Sequence, residues 1–276
     1  MQDLKSAQWM ALIKDTILKE LRSKTLIFIF IATTLMIFLA HALLKMFANS
    51  TDPNSAAPML VNAANSLSYM FWTINIMSVI IAAVFGISAV RSDFREKIIY
   101  QYLTFPISRT QYMLGRIFGA WILVYGYYLY AYILSAILFS VATHSLALTW
   151  GHLASILLMG LYLFLVIFIS FIYSLFAGKI GSFLMVLASV LIISLSTESM
   201  RNLEYAEYFK NFSFFRLLGM IVYFFIPRIN YITETANALM FKEPMRLNIS
   251  LETLHLVATT SFFIFLADRI VKRKNF

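Results

Sequence analysis

Few side chains in this 276-residue sequence are arranged for chemistry. The four histidines, His41, His144, His152 and His255, repeat no metal-ligand spacing, so interfacial or packing roles outweigh a metal site. The absence of cysteine removes disulfides, thiolate metal sites and a thiol nucleophile. No HExxH or GxSxG occurs, and no acidic pair falls inside an apolar run, so metalloprotease, serine hydrolase and aspartyl intramembrane chemistry lack their machinery. Gly178-Lys179-Ile180-Gly181-Ser182 does not have the spacing of a phosphate-binding loop. Neither a catalytic residue nor a bound cofactor or metal is predicted. The patterned stretch is 91–119, RSDFREKIIYQYLTFPISRTQYMLGRIFG, whose charges and punctuation suit contact with another molecule rather than bond making.

The elements that must hold this stretch are apolar. With 61% hydrophobic and 13% charged residues, the chain is an integral membrane protein, expected as a single transmembrane domain over 1–276. The runs 69–90 and 117–141 carry no formal charge, and each exceeds the roughly 20 helical residues that cross a hydrocarbon core. A polar segment between two spans must lie in water or at the headgroups. Residues 91–112 therefore form an elbow, which Arg91, Arg95, Lys97, Arg109 and Arg116 assign to the cytoplasm by the positive-inside rule. The net charge of +9 reads as the same topology signal, with no nucleic-acid partner.

Taken in order, residues 4–24 form an amphipathic helix, with Trp9, Ile13, Ile17 and Leu21 on one face and Lys5, Asp15, Lys19 and Arg22 on the other, suited to lie at the membrane surface. No cleavable signal segment precedes the first span, 25–47. Spans follow at 69–90, 117–141, 153–177 and 180–196. The outer segment 197–250 contains an apolar run, 212–226, too short to cross, read as a re-entrant or interfacial helix. The last span, 252–270, ends in a basic tail. With both termini cytoplasmic the number of complete spans is even, and six fits. The fold class is an all-α polytopic membrane protein. Lys45, Arg201, Lys210, Arg216, Arg228, Lys242 and Arg246 fall outside in this scheme, against the charge rule.

The order of parts in the elbow is more specific than its charge: a charged helical stretch from Ser92 to Tyr102, the break Thr104-Phe105-Pro106, the pair Ser108-Arg109, and then Gly115 and Gly119. This order resembles the membrane subunits of ABC-2 type ABC transporters at Asp93, Ile99-Tyr100, Leu103, Pro106-Ile107-Ser108-Arg109 and Gly115-Arg116-Ile117-Phe118-Gly119. Ile99-Tyr100 leans toward the branch of permeases for multicopper-enzyme maturation. The helix before the first span and Phe225-Ile226-Pro227-Arg228 before the last also fit the family. One position departs, because Lys97-Ile98 stand where the family has Gly-Thr.

The resemblance implies a permease subunit that exports or flips a substrate, with the elbow as a coupling helix docked on a separate cytoplasmic ATP-binding subunit that holds ATP and Mg. It further implies a second copy or related permease, contact with membrane lipid, and a bacterial cytoplasmic membrane. In this reading Asp93, Arg95 and Glu96 rim the contact, Ile99, Tyr102 and Phe105 form its apolar centre, Pro106 fixes the turn, and Arg109 completes the set; the alternative is that they only seat an interfacial helix. Gly115 and Gly119 permit close helix approach. Tyr125, Tyr128 and Tyr132, within a cluster that includes Tyr127 and Tyr130, either line a translocation path or bond across helices. Arg216 is a further candidate for that path, or a snorkelling side chain. The rival function is a non-transporting membrane anchor or assembly factor.

Overall fold

The computed structural model describes residues 2–49, 63–95, 108–143, 148–201, 213–242, 244 and 249–273. Its elements are helices: α1 Gln2–Leu21, α2 Lys24–Asn49, α3 Ala63–Arg95, α4 Arg109–Thr143, α5 Trp150–Ser174, α6 Lys179–Arg201, α7 Phe214–Phe225, α8 Asn230–Phe241 and α9 Ile249–Arg273. Six of them, α2 through α6 and α9, are long and apolar enough to cross a membrane. The all-α polytopic class and the number of spans agree with expectation.

The core lies where α3, α4 and α5 meet. Small residues bring these backbones together: a Cβ on Gly86 of α3 would lie 2.8 Å from the Cβ of Ser170 and 3.0 Å from the carbonyl oxygen of Ile167, both on α5. Without a hydrophobic drive between helices in lipid, such close contact and cross-helix hydrogen bonds hold a bundle together. The peripheral helices show it. Thr33 and Thr34 of α2 share hydrogen bonds with Tyr127 (2.5 Å) and Tyr130 (2.8 Å) of α4, while Phe28, Ile31 and Leu35 face outward. Outward apolar side chains are the expected surface for a bilayer.

The helices run past the predicted span limits. α3 continues through Asp93 to Arg95 and α4 starts at Arg109, so both predicted edges of the elbow are helical and its middle, 96–107, lies outside the described residues. α5 stops at Ser174, three residues before its predicted end. The Arg91 guanidinium reaches across from α3 and donates to the Ala177 carbonyl, a cation placed at the carbonyl-rich end of α5. Between α1 and α2, Ser23 accepts a hydrogen bond from the Leu26 amide at 3.2 Å, a cap that ends the surface helix and starts the span.

The short apolar run predicted at 212–226 is a helix, α7, and a second helix, α8, follows it after a short break. α7 and α8 bend by 75° at a short break that holds Pro227. Both arms open toward the end of the bundle opposite the elbow. Ser196, near the finish of α6, donates to the Gly219 carbonyl of α7 at 2.6 Å. The Phe241 ring at the finish of α8 lies 5.7 Å from that of Tyr69, in the first turns of α3. Pro227, at the apex of the bend, lines one pocket with Phe168 of α5 and Phe263 of α9.

Arg228 secures this apex. It donates to both carboxylate oxygens of Glu252 on α9, at 2.8 and 2.9 Å, donates to the Tyr223 carbonyl at 2.9 Å, and lies 3.7 Å from the centre of the Tyr223 ring. An arginine that strained the charge rule is thus neutralised inside the protein. Arg228→Lys keeps the charge but loses the planar fork, and is expected to cost about 1–1.5 kcal/mol, read as a lower Tm of the purified protein.

Candidate functional site

The helices that flank the elbow are joined at its root by a buried ionic cluster. Asp93 sits near the C-terminal end of α3, where the helix dipole disfavours a carboxylate. Cations and a hydroxyl offset this. Lys19 of α1 and Arg116 of α4 pair with it at 2.8 and 2.5 Å, and the Tyr112 hydroxyl donates to it at 2.7 Å. Asp93 is 0% exposed and Arg116 only 1%, so each depends on the other within a low-dielectric interior.

Arg116 also reaches α1. Its guanidinium pairs with Asp15 at 3.0 Å and donates to the Thr16 hydroxyl at 2.8 Å. One turn further on, Ser88 of α3 donates to Glu20 at 2.7 Å. Glycines on α4 make this approach feasible: a Cβ on Gly115 would lie 2.6 Å from Leu12, and one on Gly119 2.6 Å from the Cβ of Thr16. Trp9 then meets Phe118 edge-on at 5.8 Å. The outward side of α1 keeps Met10, Leu18 and Leu21 exposed, as a helix at a lipid surface requires.

Two further contacts extend the joint to α9. Thr110 donates to Asp268 at 2.5 Å, and Arg109 donates to the Lys272 carbonyl at 3.0 Å. Neither a general base nor a nucleophile is set up by this arrangement. What it can do is mechanical: a displacement of the elbow reaches α3, α4, α1 and α9 together, because each is pinned to the root by charge-assisted bonds.

The predicted site residues are distributed unevenly around this joint. Asp93 is inside it, not on a rim, because the carboxylate is consumed by Lys19, Arg116 and Tyr112. Arg109 secures α9. Arg95 is the last residue of α3; its side chain, with Glu96, Ile99, Tyr102, Phe105 and Pro106, lies outside the described residues. Gly115 and Gly119 both face α1, where a Cβ would crowd Leu12 and Thr16.

Tyr128 and Tyr132 are 0% and 2% exposed, with the Tyr132 ring stacked on Phe71 at 3.5 Å, so substrate could pass along them only if α3 or α5 moved. Tyr125 stacks on Trp121 at 5.6 Å in a shallow groove between α4 and α5. Arg216 is half-buried on α7, remote in the chain from that column. Among the histidines, His152 caps α5 through Thr149 and His255 bonds the Phe224 carbonyl.

Sequence reasoning missed the partners of Asp93. The sequence pattern puts Lys19 and Asp15 on the polar face of α1 and gives Arg116 a topological role, and neither points to Asp93. The available signal was the i, i+4 pair Tyr112 and Arg116, placing a ring and a guanidinium on one face of α4 beside the two glycines.

The described residues form a multi-span helical bundle whose best-defined polar cluster is a joint between helices. Residues 12–180 match a family described as ABC-2 family transporter protein, and the chain belongs to that family. The match begins within α1 and ends at the start of α6, and so takes in the elbow, the tyrosine column and the part of the joint formed by α1, α3 and α4. It does not single out the multicopper-maturation branch. No curated protein matches the chain. The protein is therefore a multi-pass permease component, not itself an enzyme, and the family implies an ATP-binding partner subunit in general.

Proposed function

We propose that this chain is the permease subunit of an ATP-driven transporter and that it receives energy at the elbow from a separate ATP-binding subunit. The observation that carries this is the root of the elbow, where Asp93 and Arg116 bind α3 and α4 to each other and, through Lys19 and Thr16, to α1. A lever without such a root would bend locally instead of tilting its spans. ATP and Mg belong to the partner, and the working unit pairs this chain with a second copy or a related permease.

The membrane is proposed to be a bacterial cytoplasmic membrane with both termini inside. The clustering of Lys19, Arg91, Arg109, Lys179 and Lys272 at the elbow end of the bundle supports that orientation. The motion delivered through the elbow exports or flips a substrate.

The test is co-purification with the ATP-binding subunit expressed alongside it. Phe105→Asp, and separately Pro106→Ala, should reduce recovery of the complex or its ATPase rate by about tenfold, the scale of losing one buried interface anchor. Indifference of both readouts would remove the elbow's role, and an intact complex whose cargo movement ignores ATP would favour the anchor function.

A further inference from the structure

We propose that the bundle contains a binding site for one acyl chain of a membrane phospholipid, between α5, α6, α9 and the apex of the α7–α8 hairpin. A cavity of about 280 Å³ lies there, walled by Phe168, Ile172, Ile193 and Phe263 and roofed by Pro227 and Ile229. Its position is set by the spans themselves. The lining residues of α6 and α9, 189–193 and 260–263, lie in the middle of those helices, and on α5 the lining runs from Leu165 to Tyr173 near its elbow end, so the cavity extends from mid-bundle toward the elbow side within the apolar spans.

The chemistry of the walls selects the occupant. Tyr173 and Ser189 satisfy each other across α5 and α6 at 2.6 Å, which leaves Thr260 as the lining hydroxyl without a partner. One hydroxyl is too little for water, which needs two to four polar partners. Among the described residues no charged side chain lines the cavity, so nothing there offsets the desolvation of an ion. An apolar recess open to the bilayer is solvated best by apolar chains. At that depth the abundant molecule able to fill it is a lipid tail.

Access follows from helix arrangement. α6 packs against α3, α5 and α7, whereas α9 packs against α4 and is bonded to the α7–α8 segment through Glu252 and His255, so the two walls are carried by different neighbours. Both present apolar residues outward, Leu191 and Leu195 on α6 and Phe262 and Phe265 on α9, so a chain can enter sideways from the bilayer. Its end would then rest against Pro227, making the occupant a support for the hairpin apex. This site requires only the membrane-embedded bundle and does not depend on the ATP-binding partner.

The experiment places the full-length protein in nanodiscs containing a phosphatidylethanolamine with a diazirine at mid-chain, irradiates them, and maps the label by mass spectrometry. Label is expected on Ile172, Ile193 or Phe263 above the level on Leu184, an outward-facing residue of α6. Ile169→Trp, and Leu218→Trp from another wall, should each lower the cavity label about tenfold and leave Leu184 unchanged, because an indole takes the space of several buried CH₂ groups. Cavity label no greater than that on Leu184 in the unsubstituted protein overturns the site, whatever the variants do. So does cavity label that survives in both variants when they remain monodisperse.

Discussion

Replacing Asp93 by alanine is expected to cost about 3–5 kcal/mol of stability, because it leaves Arg116 charged and buried with its principal counter-ion removed. Asp15 cannot substitute fully; its side chain is 47% exposed, and the attraction it offers is screened by water. The measurement is the Tm of the detergent-solubilised protein, together with the yield of monodisperse material. A second variant separates charge from fold. In Asp93→Leu combined with Arg116→Met both buried charges are gone, and the loss should fall well below that of Asp93→Ala, since an apolar pair of similar volume replaces an ion pair at little cost. Lys19 can turn outward from its 32% exposed position, so it does not repeat the problem of Arg116.

The double variant should nevertheless transport poorly. Stability would return without the bonds that make α1, α3 and α4 respond together, so ATPase activity and cargo movement should separate. If the double variant recovers both Tm and transport, the cluster only stabilises the bundle and the mechanical role fails.

The spans were legible because an uncharged run of the right length has few alternatives. Their ends were not, since Arg91 and Asp93 look like loop residues until the Ala177 carbonyl and the Lys19 and Arg116 cations are brought to them by other helices. α1 shows the same limit. Its amphipathic pattern gives Trp9, Ile13, Ile17 and Leu21 as the side turned to the membrane, and Leu21 is exposed, but the line buried against the bundle, Leu12, Ile13, Thr16 and Glu20, cuts across both predicted faces. The glycine notch on α4 and the hydroxyl of Ser88 decide that face, and neither can be inferred from α1 alone. α8 was invisible for a related reason. Asn230, Thr233, Glu234, Thr235 and Asn237 give it a polar reading, and its helix is secured instead by contact with α5, where Gly151 lets the Leu239 carbonyl approach so closely that a Cβ would meet it at 2.1 Å. Tertiary neighbours override local pattern in each case.

Gly119→Leu is expected to lift α1 off α4. The first added carbon alone would lie 2.6 Å from the Thr16 Cβ and 3.1 Å from the Ile13 carbonyl oxygen, and backbone cannot yield as a flexible side-chain tip can. Relief requires α1 to shift as a unit, which should cost about 3 kcal/mol, at the upper end for overpacking because a whole side chain is inserted. α4 itself should remain helical, since leucine is a better helix former than glycine. The displacement is readable through Trp9, whose edge contact with Phe118 would be lost, giving altered tryptophan fluorescence against a Trp9→Phe background control. The shift would also pull Thr16 away from Arg116 and weaken the Lys19–Asp93 pair, while Asp93–Arg116 between α3 and α4 would persist. The elbow would then stay rooted in its two spans but lose its connection to α1. Binding of the ATP-binding subunit should survive this change while transport falls; loss of binding and transport together would instead show that α1 helps shape the docking surface itself.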